Sequence, residues 1–433
     1  MRALALLALL CVILAPIPVG AFRPQWWLMV SAILFSITAI TIAAAAWSGR
    51  AINHPWSRLP LISWAYFLFI CLTALHVLVV GGSASDLDAV YGLMRHIGFA
   101  AAAWLFMLAA RRHSTARQFA NVLMFAFAAY AIYGLATIAA PQWLPYQKDS
   151  YFGVATGPFV NRNSFATFMA MGATLGLAMT LADPRALPRK HRRGRRGSWL
   201  EALVQSSVTA SASLLCLAAV LATGSRMGLF SALLGLSVVA AVTARRDLAR
   251  GSRRRALVLG GGLAAACLIS AVALLYGGTV AERLLGAADD ASVRGALYLN
   301  VLSMIAERPL LGFGLDNFSE AFRAHHQLPV SPDRHWGLAH NTYLSLWVEL
   351  GIILGSLPII ILALVGVQLW RRAQVASETP TTYLATAALG CLTLNAAHAL
   401  LDFSLEMPAN AYVFIVVIAL ALSPPNDTEQ EVS

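Results

Sequence analysis

The stretch NTYLSLWVELGIILGSLPIIILALVGVQ, residues 341–368, holds one acid and no base, and it is long enough to cross the ~30 Å hydrocarbon core of a bilayer. Similar runs recur along the chain, which has 433 residues, 59% of them hydrophobic and only 12% charged. Soluble domains carry about twice that charged fraction. Backbone groups in lipid must be satisfied within the chain, and ten-residue alternating strand patterns are absent. The predicted fold class is therefore all-α, with residues 1–433 forming one polytopic membrane domain.

We predict twelve transmembrane helices with short connections, and one long polar loop at residues 277–339. Arg2 precedes the first apolar run, which could instead be a cleaved signal peptide, although the spans after it favour an uncleaved helix. The predicted spans are 3–20, 26–47, 60–80, 92–110, 118–140, 163–182, 203–223, 227–244, 256–276, 341–368, 381–400 and 409–423.

The basic residues are unevenly distributed. Of the 31 Lys and Arg residues, seven lie between Arg185 and Arg196 and six between Arg245 and Arg255. Positive charge gathers on the cytoplasmic side of membrane proteins, so both termini are predicted to be cytoplasmic. The long loop then faces outward, and in a bacterium that side is the periplasm. We interpret the run PRKHRRGRRG at residues 188–197 as contacting membrane lipids and not nucleic acid.

The long loop is predicted to hold two short amphipathic helices that cover the outer face of the bundle. Ser292 is placed to cap the first helix, which would run to about Glu307 and end before Pro309. A second helix is predicted from Asp316 to about Ala324. At helical spacing, one apolar face of the first helix consists of Val293, Leu297, Val301 and Met304.

Three helices are predicted to enter the membrane from outside with polar groups in their first turn. They begin at 161–163 (Asn-Arg-Asn), 225–226 (Ser-Arg) and 340–341 (His-Asn). Arginine at the positive end of a helix is unfavourable by itself, but it is favourable when an anion is shared between the helix N–H groups and the guanidinium. We therefore predict an anion site that uses Arg162, Arg226 and, two residues after its presumed cap, Arg294. The guanidinium fork suits phosphate, whereas interfacial snorkelling is the alternative for each arginine alone.

His340 is the candidate general base, since nearby arginines would keep its imidazole neutral near pH 7. Two further residues, His398 and Asp402, lie four apart and could pair on one helix face. Asp402 could instead orient His340, or both could form a structural polar cap at a helix end. Glu349 lies ~13 Å deeper than His340 on a regular helix, so we do not expect the two to pair.

Metal and redox chemistry have weak support. Asp86 and Asp88, on a predicted outward loop, form a DxD pattern that is common by chance, and His325, His326, Asp333 and His335 lack a recognisable ligand spacing. We expect neither a metal nor another cofactor. The five cysteines fall singly in five spans and are predicted to be small core residues: Cys11, Cys71, Cys216, Cys267 and Cys391.

Several stretches between residues 157 and 411 resemble the O-antigen ligase and polysaccharide polymerase superfamily of bacterial envelope glycosyltransferases. They are GPFVNRNSFATF (157–168), TGSRMG (223–228), RPLLGFGLDNF (308–318), AHNTYLSLWVELGIILG (339–355) and HALLDFSLEMPANA (398–411). One departure is that Leu354 occupies the place of a second family glycine, three residues after Gly351. The departure concerns the helix packing there and not the candidate active residues.

The resemblance implies a metal-independent transfer of a glycan from undecaprenyl diphosphate to an acceptor hydroxyl. By the matching motifs, Arg226 and Arg294 would hold the diphosphate and His340 would activate the acceptor, with Asn341, His398 and Asp402 on the orienting or acceptor side. Arg162 is added by the helix-end argument alone. The acceptor would be another lipid-linked glycan, lipid A–core or, in a related protein O-oligosaccharyltransferase branch, a protein hydroxyl. A transporter or flippase of lipid-linked glycans is the alternative from another class.

Overall fold

The computed structural model describes residues 2–49, 55–80, 86–147, 151–182, 198–251, 260, 280–331, 336–375 and 380–423. These residues form helices and no strand, which confirms the all-α class. The α-helices are α1 (Arg2–Leu14), α2 (Pro24–Trp47), α3 (Pro60–Val80), α4 (Asp86–Ala109), α5 (His113–Ala139), α6 (Arg162–Leu181), α7 (Ser198–Ala222), α8 (Arg226–Ala249), α9 (Val280–Glu307), α10 (Phe318–His325), α11 (Thr342–Ala373), α12 (Pro380–His398) and α13 (Pro408–Leu422). Short 3₁₀ turns occur at Val19–Ala21, Pro55–Arg58 and Pro141–Trp143.

Seven helices of the described part are long and apolar enough to cross a membrane: α2, α3, α4, α5, α6, α8 and α11. Shorter apolar helices lie at Arg2–Leu14, Ser206–Ala222 and Pro408–Leu422. The protein is therefore a multi-helix membrane protein, although the predicted total of twelve spans is not confirmed. The predicted span at 256–276 lies outside the described residues except for residue 260, and Cys267 lies outside them. The other four cysteines are free thiols.

Helix α6 is the most enclosed of the seven spans, with 78% of its apolar stretch buried, whereas only 17% of that of α3 is buried. It packs against α5, α7, α8 and α12. Small residues permit this packing, and a Cβ on Gly172 would meet the ring of Phe127. The start of α6 therefore lies among other helices and not at the lipid-facing edge of the bundle.

Helix α11 is interrupted at Gly351, whose φ of 75° and ψ of 167° are not helical. The loop before α10 fills the break: Phe313 N donates to Val348 O at 2.8 Å, Gly314 N donates to Glu349 O at 2.9 Å, and Ile352 N donates to Pro309 O at 2.8 Å. These bonds satisfy backbone groups that the break would leave unpaired. A Cβ at Gly351 would collide with the Leu310 carbonyl, and one at Gly355 would collide with that of Leu346. Glycine is thus required at both positions, and Leu354, the departure from the family pattern, packs against a buried apolar cluster.

The long loop is helical over much of its described part, but the predicted start of its first helix is wrong. Helix α9 begins at Val280, so Ser292 lies inside it and is not its cap. The predicted apolar face is largely correct, because Leu297, Val301 and Met304 are buried. They pack with residues of α10 and with Val348 of α11. Helix α10 begins at Phe318, two residues after the predicted start. We call the end of the bundle that α9 and α10 cover the loop end.

Candidate active site

Helices α6, α8 and α11 are each capped by the side chain of the residue that precedes them. Asn161 accepts from Asn163 N at 2.7 Å, and Ser225 Oγ accepts from Gly228 N at 3.0 Å. Asn341 Oδ1 accepts from the backbone N–H groups of the first turn of α11 at 3.0 and 3.1 Å. These caps put Arg162 and Arg226 at the first position of α6 and α8, where the backbone dipoles leave partial positive charge.

The three helix starts meet around the segment 399–407, which joins α12 to α13. Ser225 Oγ donates to Asn163 Oδ1 at 2.8 Å, and Asn163 Nδ2 donates to Asp402 Oδ2 at 2.6 Å. The start of α11 reaches the same segment, since Thr342 N donates to Ala399 O at 3.0 Å. Two side-chain hydrogen bonds therefore link the start of α8, through α6, to a fully buried carboxylate.

Arg162 lies beside this junction. Its guanidinium is 5.2 Å from the ring centre of Tyr151, and a Cβ built on Gly224 would lie 3.6 Å from its Nη1. Gly224 directly precedes the cap of α8, so Arg162 is adjacent to the helix start that carries Arg226. The Arg226 side chain is exposed at this start.

Arg294 reaches the site from a different direction than predicted. It lies in the interior of α9, so the helix-end argument is wrong for this residue: the field of a helix terminus falls off within the first turn. Its Nη1 donates to Leu401 O at 3.2 Å. One turn later, Tyr298 donates its hydroxyl to His340 O at 2.9 Å. One face of α9 thus contacts both the segment 399–407 and His340.

His340 is held in an uncommon backbone conformation. Its φ is 52°, a left-handed value that costs of the order of 1–3 kcal/mol for most side chains. The ring lies 4.9 Å from Phe403 and 6.4 Å from Trp336, both edge-on, and its Nδ1 is buried without a hydrogen-bond partner. Ring packing and the Tyr298 hydrogen bond to the backbone thus hold His340 in place, while its Nδ1 makes no hydrogen bond within the described residues.

The imidazole of His340 is poised to be neutral. Burial lowers the pKa of His340, Asp402 acts to raise it, and Arg294 lowers it further, with a net pKa below the ordinary histidine value. The structure thus brings Arg294 and Asp402 into electrostatic range of His340.

Asp402 does not form a helix-face pair with His398, because α12 ends at His398 and Asp402 lies beyond it. Asp402 Oδ1 accepts from Phe403 N and from Ser404 Oγ, each at 2.9 Å, while Oδ2 accepts from the Asn163 amide. Both ring nitrogens of His398 are buried and have no hydrogen-bond partner in the described part of the chain. Asn341 Nδ2 donates to Leu400 O at 2.9 Å, so Asn341 both caps α11 and holds the segment 399–407.

The residues weighed as metal ligands are not grouped. Asp86 and Asp88 belong to the first turn of α4 and not to a loop. The imidazole of His325 contacts Ala321 O and Glu307, while Asp333 and His335 lie outside the described residues. Across the described part of the chain, no three His, Cys, Asp or Glu side chains are close enough to hold one metal ion.

Comparison with protein families addresses the stretch that contains most of these residues. Residues 211–359 match the O-antigen ligase family. The matched stretch includes Arg226, Arg294, His340 and Asn341, and the break in α11. Arg162 and Asp402 lie outside it. No curated protein matches the chain. Together with the apolar helices, the match shows a membrane protein whose residues 211–359 are similar to the O-antigen ligase family.

A second polar group near the site was not predicted. Arg95 Nη2 pairs with Asp316 Oδ1 at 2.6 Å, and Asp316 N donates to Glu349 Oε2 at 3.0 Å. This pairing explains how α4 accommodates an arginine and why Glu349 can lie beside the break in α11.

Burial raises the pKa of Glu406 to about 7, while a hydrogen bond with Thr342 acts to lower it. Local sequence gave no signal for Arg95 with Asp316, since they lie far apart along the chain, whereas Tyr298 follows Arg294 by one helical turn and was open to prediction.

Proposed function

We propose that the protein transfers a glycan from undecaprenyl diphosphate to an acceptor hydroxyl at the periplasmic face of the bacterial inner membrane. The observation that carries the proposal is the position of His340. A half-buried imidazole with a lowered pKa lies within electrostatic range of Arg294 and Asp402, beside helix starts that carry two further arginines, inside a stretch that matches the O-antigen ligase family.

In the proposed reaction, the acceptor oxygen attacks the anomeric carbon of the donor sugar. His340 takes the hydroxyl proton as the new C–O bond forms. The bond from the anomeric carbon to the diphosphate oxygen breaks, and undecaprenyl diphosphate leaves with that electron pair. Arg226, Arg294 and Arg162 stabilise the charge that develops on the leaving group, which a metal ion would otherwise do. We expect inversion at the anomeric carbon, because the displacement is direct.

The remaining residues position these groups. Asn341 holds the segment 399–407 against α11, Asp402 links it to α6 through Asn163, and Phe403 packs on the His340 ring. His398 lies four residues before Asp402, and its ring nitrogens have no hydrogen-bond partner among the described residues. It is proposed to act on the acceptor side.

The proposal is tested by turnover. Purified protein given lipid-linked glycan and an acceptor glycan should release undecaprenyl diphosphate and form a longer glycan, in the presence of EDTA as well as without it. Lipid-linked glycan that crosses a vesicle membrane without glycan transfer would instead establish the transporter alternative. Loss of transfer in EDTA and its return with Mg²⁺ would refute metal independence.

The acceptor is identified by deleting the protein in its native host. Accumulation of single lipid-linked repeats would indicate a polysaccharide polymerase. Accumulation of lipid-linked polymer, with lipid A–core left bare, would indicate a ligase. Loss of glycans from protein alone would indicate a protein O-oligosaccharyltransferase. We favour the polymerase on the resemblance of residues 160–168 and 402–411.

The pH dependence of transfer should reflect the half-buried imidazole of His340. His340 accepts a proton only when neutral, so kcat/KM is lost as the pH falls through its pKa. Because burial and Arg294 lower that pKa against the effect of Asp402, the acidic limb is expected below the ordinary histidine value of about 6.5. A pH profile of kcat/KM measures this. Glu406→Gln is the control, since burial raises the pKa of Glu406 to about 7; an acidic limb that disappears in this variant would assign the titration to Glu406.

Asn163 is expected to act through Asp402. Asn163→Leu removes the amide that links Ser225 to the buried carboxylate, and a lost hydrogen bond to a charged group costs about 1.5–3 kcal/mol. We expect kcat to fall at least about tenfold with donor binding retained. Thr174→Val on the same helix is the matched control, because Thr174 Oγ1 bonds only to the α6 carbonyl of Ala170. A lower melting temperature with unchanged kcat would make Asn163 purely structural.

A further inference from the structure

A polar cavity of about 270 Å³ lies at the loop end, away from the candidate active site. Its walls come from the end of α3, the first turns of α4, the loop before α10, and α10 itself. The polar and aromatic residues that line it are His76, Arg308, Phe313, Asn317, Glu320 and His325. The proposed reaction uses none of these side chains.

The lining combines an aromatic surface with both donors and acceptors of hydrogen bonds. The Arg308 guanidinium lies 4.7 Å from the ring centre of Phe313. The Asn317 amide donates to Phe313 O at 2.8 Å and keeps its oxygen as an acceptor, and the Glu320 carboxylate is exposed. A sugar ring has hydroxyls that both donate and accept, and a C–H face that packs on aromatic rings. The cavity therefore suits a saccharide better than an apolar ligand or a simple anion.

His76 adds an independent indication of a ligand. It is 5% exposed, and its Nε2 lies 2.6 Å from Leu311 O. A carbonyl oxygen only accepts, so Nε2 carries the proton and Nδ1 presents a lone pair. That Nδ1 is buried and has no hydrogen-bond partner among the residues that the structure describes. Buried acceptors are nearly always paired, so a donor is missing, and a sugar hydroxyl would supply it.

The distance from the active site indicates which position along the glycan a sugar in this cavity would occupy. Arg308 directly follows α9, and Arg294 lies on the same helix, so at 1.5 Å per residue the two are ~20 Å apart. One sugar ring cannot span that distance, and a sugar in the cavity would belong to a unit several positions along the chain.

We propose that this cavity is a glycan subsite, which binds a sugar several units away from the bond that is made at His340. The inference rests on the proposed glycosyltransferase function and extends it to substrate length. It implies that the protein selects donors or acceptors that carry an oligosaccharide over those that carry a single sugar.

Binding is tested first, without turnover. The probe is the free oligosaccharide released by mild acid from the lipid-linked glycan of the host, and its binding to the purified full-length protein is measured by saturation-transfer NMR. The His340→Asn variant should bind it as the wild type does. We expect Arg308→Gln and Glu320→Gln to weaken binding about tenfold each. Gln327→Ala is the matched control, an exposed polar residue just beyond α10 and outside the cavity. The subsite would be overturned if the wild type showed no detectable binding. It would also be overturned if both cavity variants bound the oligosaccharide as tightly as the wild type does.

Transfer kinetics then identify the source of the sugar. A raised KM of Arg308→Gln for an oligosaccharide-bearing lipid diphosphate, with the acceptor KM unchanged, would assign the cavity to the donor chain. The opposite result would assign it to the acceptor chain. A reduced kcat with both KM values unchanged would refute a binding role. Oligosaccharide binding without any transfer by the wild type would refute the proposed function and leave the subsite standing.

Discussion

Replacing His340 by asparagine is expected to reduce glycan transfer by about 10²–10⁴-fold, the usual contribution of a general base, while donor binding stays within a few-fold of the wild type. Asparagine is chosen because His340 has a φ of 52°, which asparagine adopts more readily than most side chains. The variant removes the proton acceptor without adding backbone strain. Transfer rate and binding of undecaprenyl diphosphate are measured separately.

Two comparisons separate catalysis from folding. His340→Ala introduces alanine at the same φ, so it should lose as much activity and also some thermal stability. His326→Ala removes an imidazole from the same loop and is expected to leave transfer intact, since its ring contacts Phe322 and not the site. If His340→Asn kept the wild-type rate, or lost donor binding in proportion to rate, His340 would not be the base.

Much of the site was predictable because helix starts are written locally in the sequence. A polar cap must lie within a few residues of the N–H groups that it satisfies, so Asn161, Ser225 and Asn341 could be identified without knowledge of the packing. The long loop was recognisable because it interrupts apolar runs. The buried face of α9 followed from spacing alone, since Leu297, Val301 and Met304 repeat at helical intervals.

The failures are of two physical kinds. Ser292 can cap a helix, but a serine inside a helix can look the same in sequence, and the residues before it continue the helix back to Val280. Arg294 was therefore predicted to lie at a helix start, whereas it lies in the interior of α9. It contacts the site from the side of that helix, through its hydrogen bond to Leu401 O.

The second kind concerns contacts between distant parts of the chain. Asn163 with Asp402, and Arg95 with Asp316, are separated by more than 200 residues, so no periodicity connects them. The break in α11 is similar. Gly351 alone suggests flexibility, and only the docked backbone of the loop before α10 explains why the helix stops there. Such contacts are decided by packing, which a single sequence does not record.

Replacing Arg294 should show what the guanidinium contributes beyond its charge. One of its nitrogens already holds the segment 399–407 through Leu401 O, and the rest of the planar fork is left to bind the diphosphate. Lysine has its three donors on a single nitrogen and cannot make both contacts in the same geometry. We expect Arg294→Ala to weaken donor binding about 10- to 100-fold, from the loss of a charge-assisted hydrogen bond of about 1.5–3 kcal/mol. Arg294→Lys should recover only a small part.

Arg226→Lys should behave like Arg294→Lys, because Arg226 at the first position of α8 is proposed to share the same anion with the helix N–H groups. Arg23→Lys is the matched control, an exposed arginine at the start of α2 that belongs to no part of the site. Donor binding is measured for all three against increasing salt. A plain surface charge would be screened equally with lysine and arginine, whereas a paired hydrogen bond to phosphate distinguishes them at every salt concentration. Full donor affinity with lysine at both positions would therefore show that the arginines contribute only general electrostatic attraction. The paired hydrogen bonds to the diphosphate would then have to be removed from the proposed mechanism.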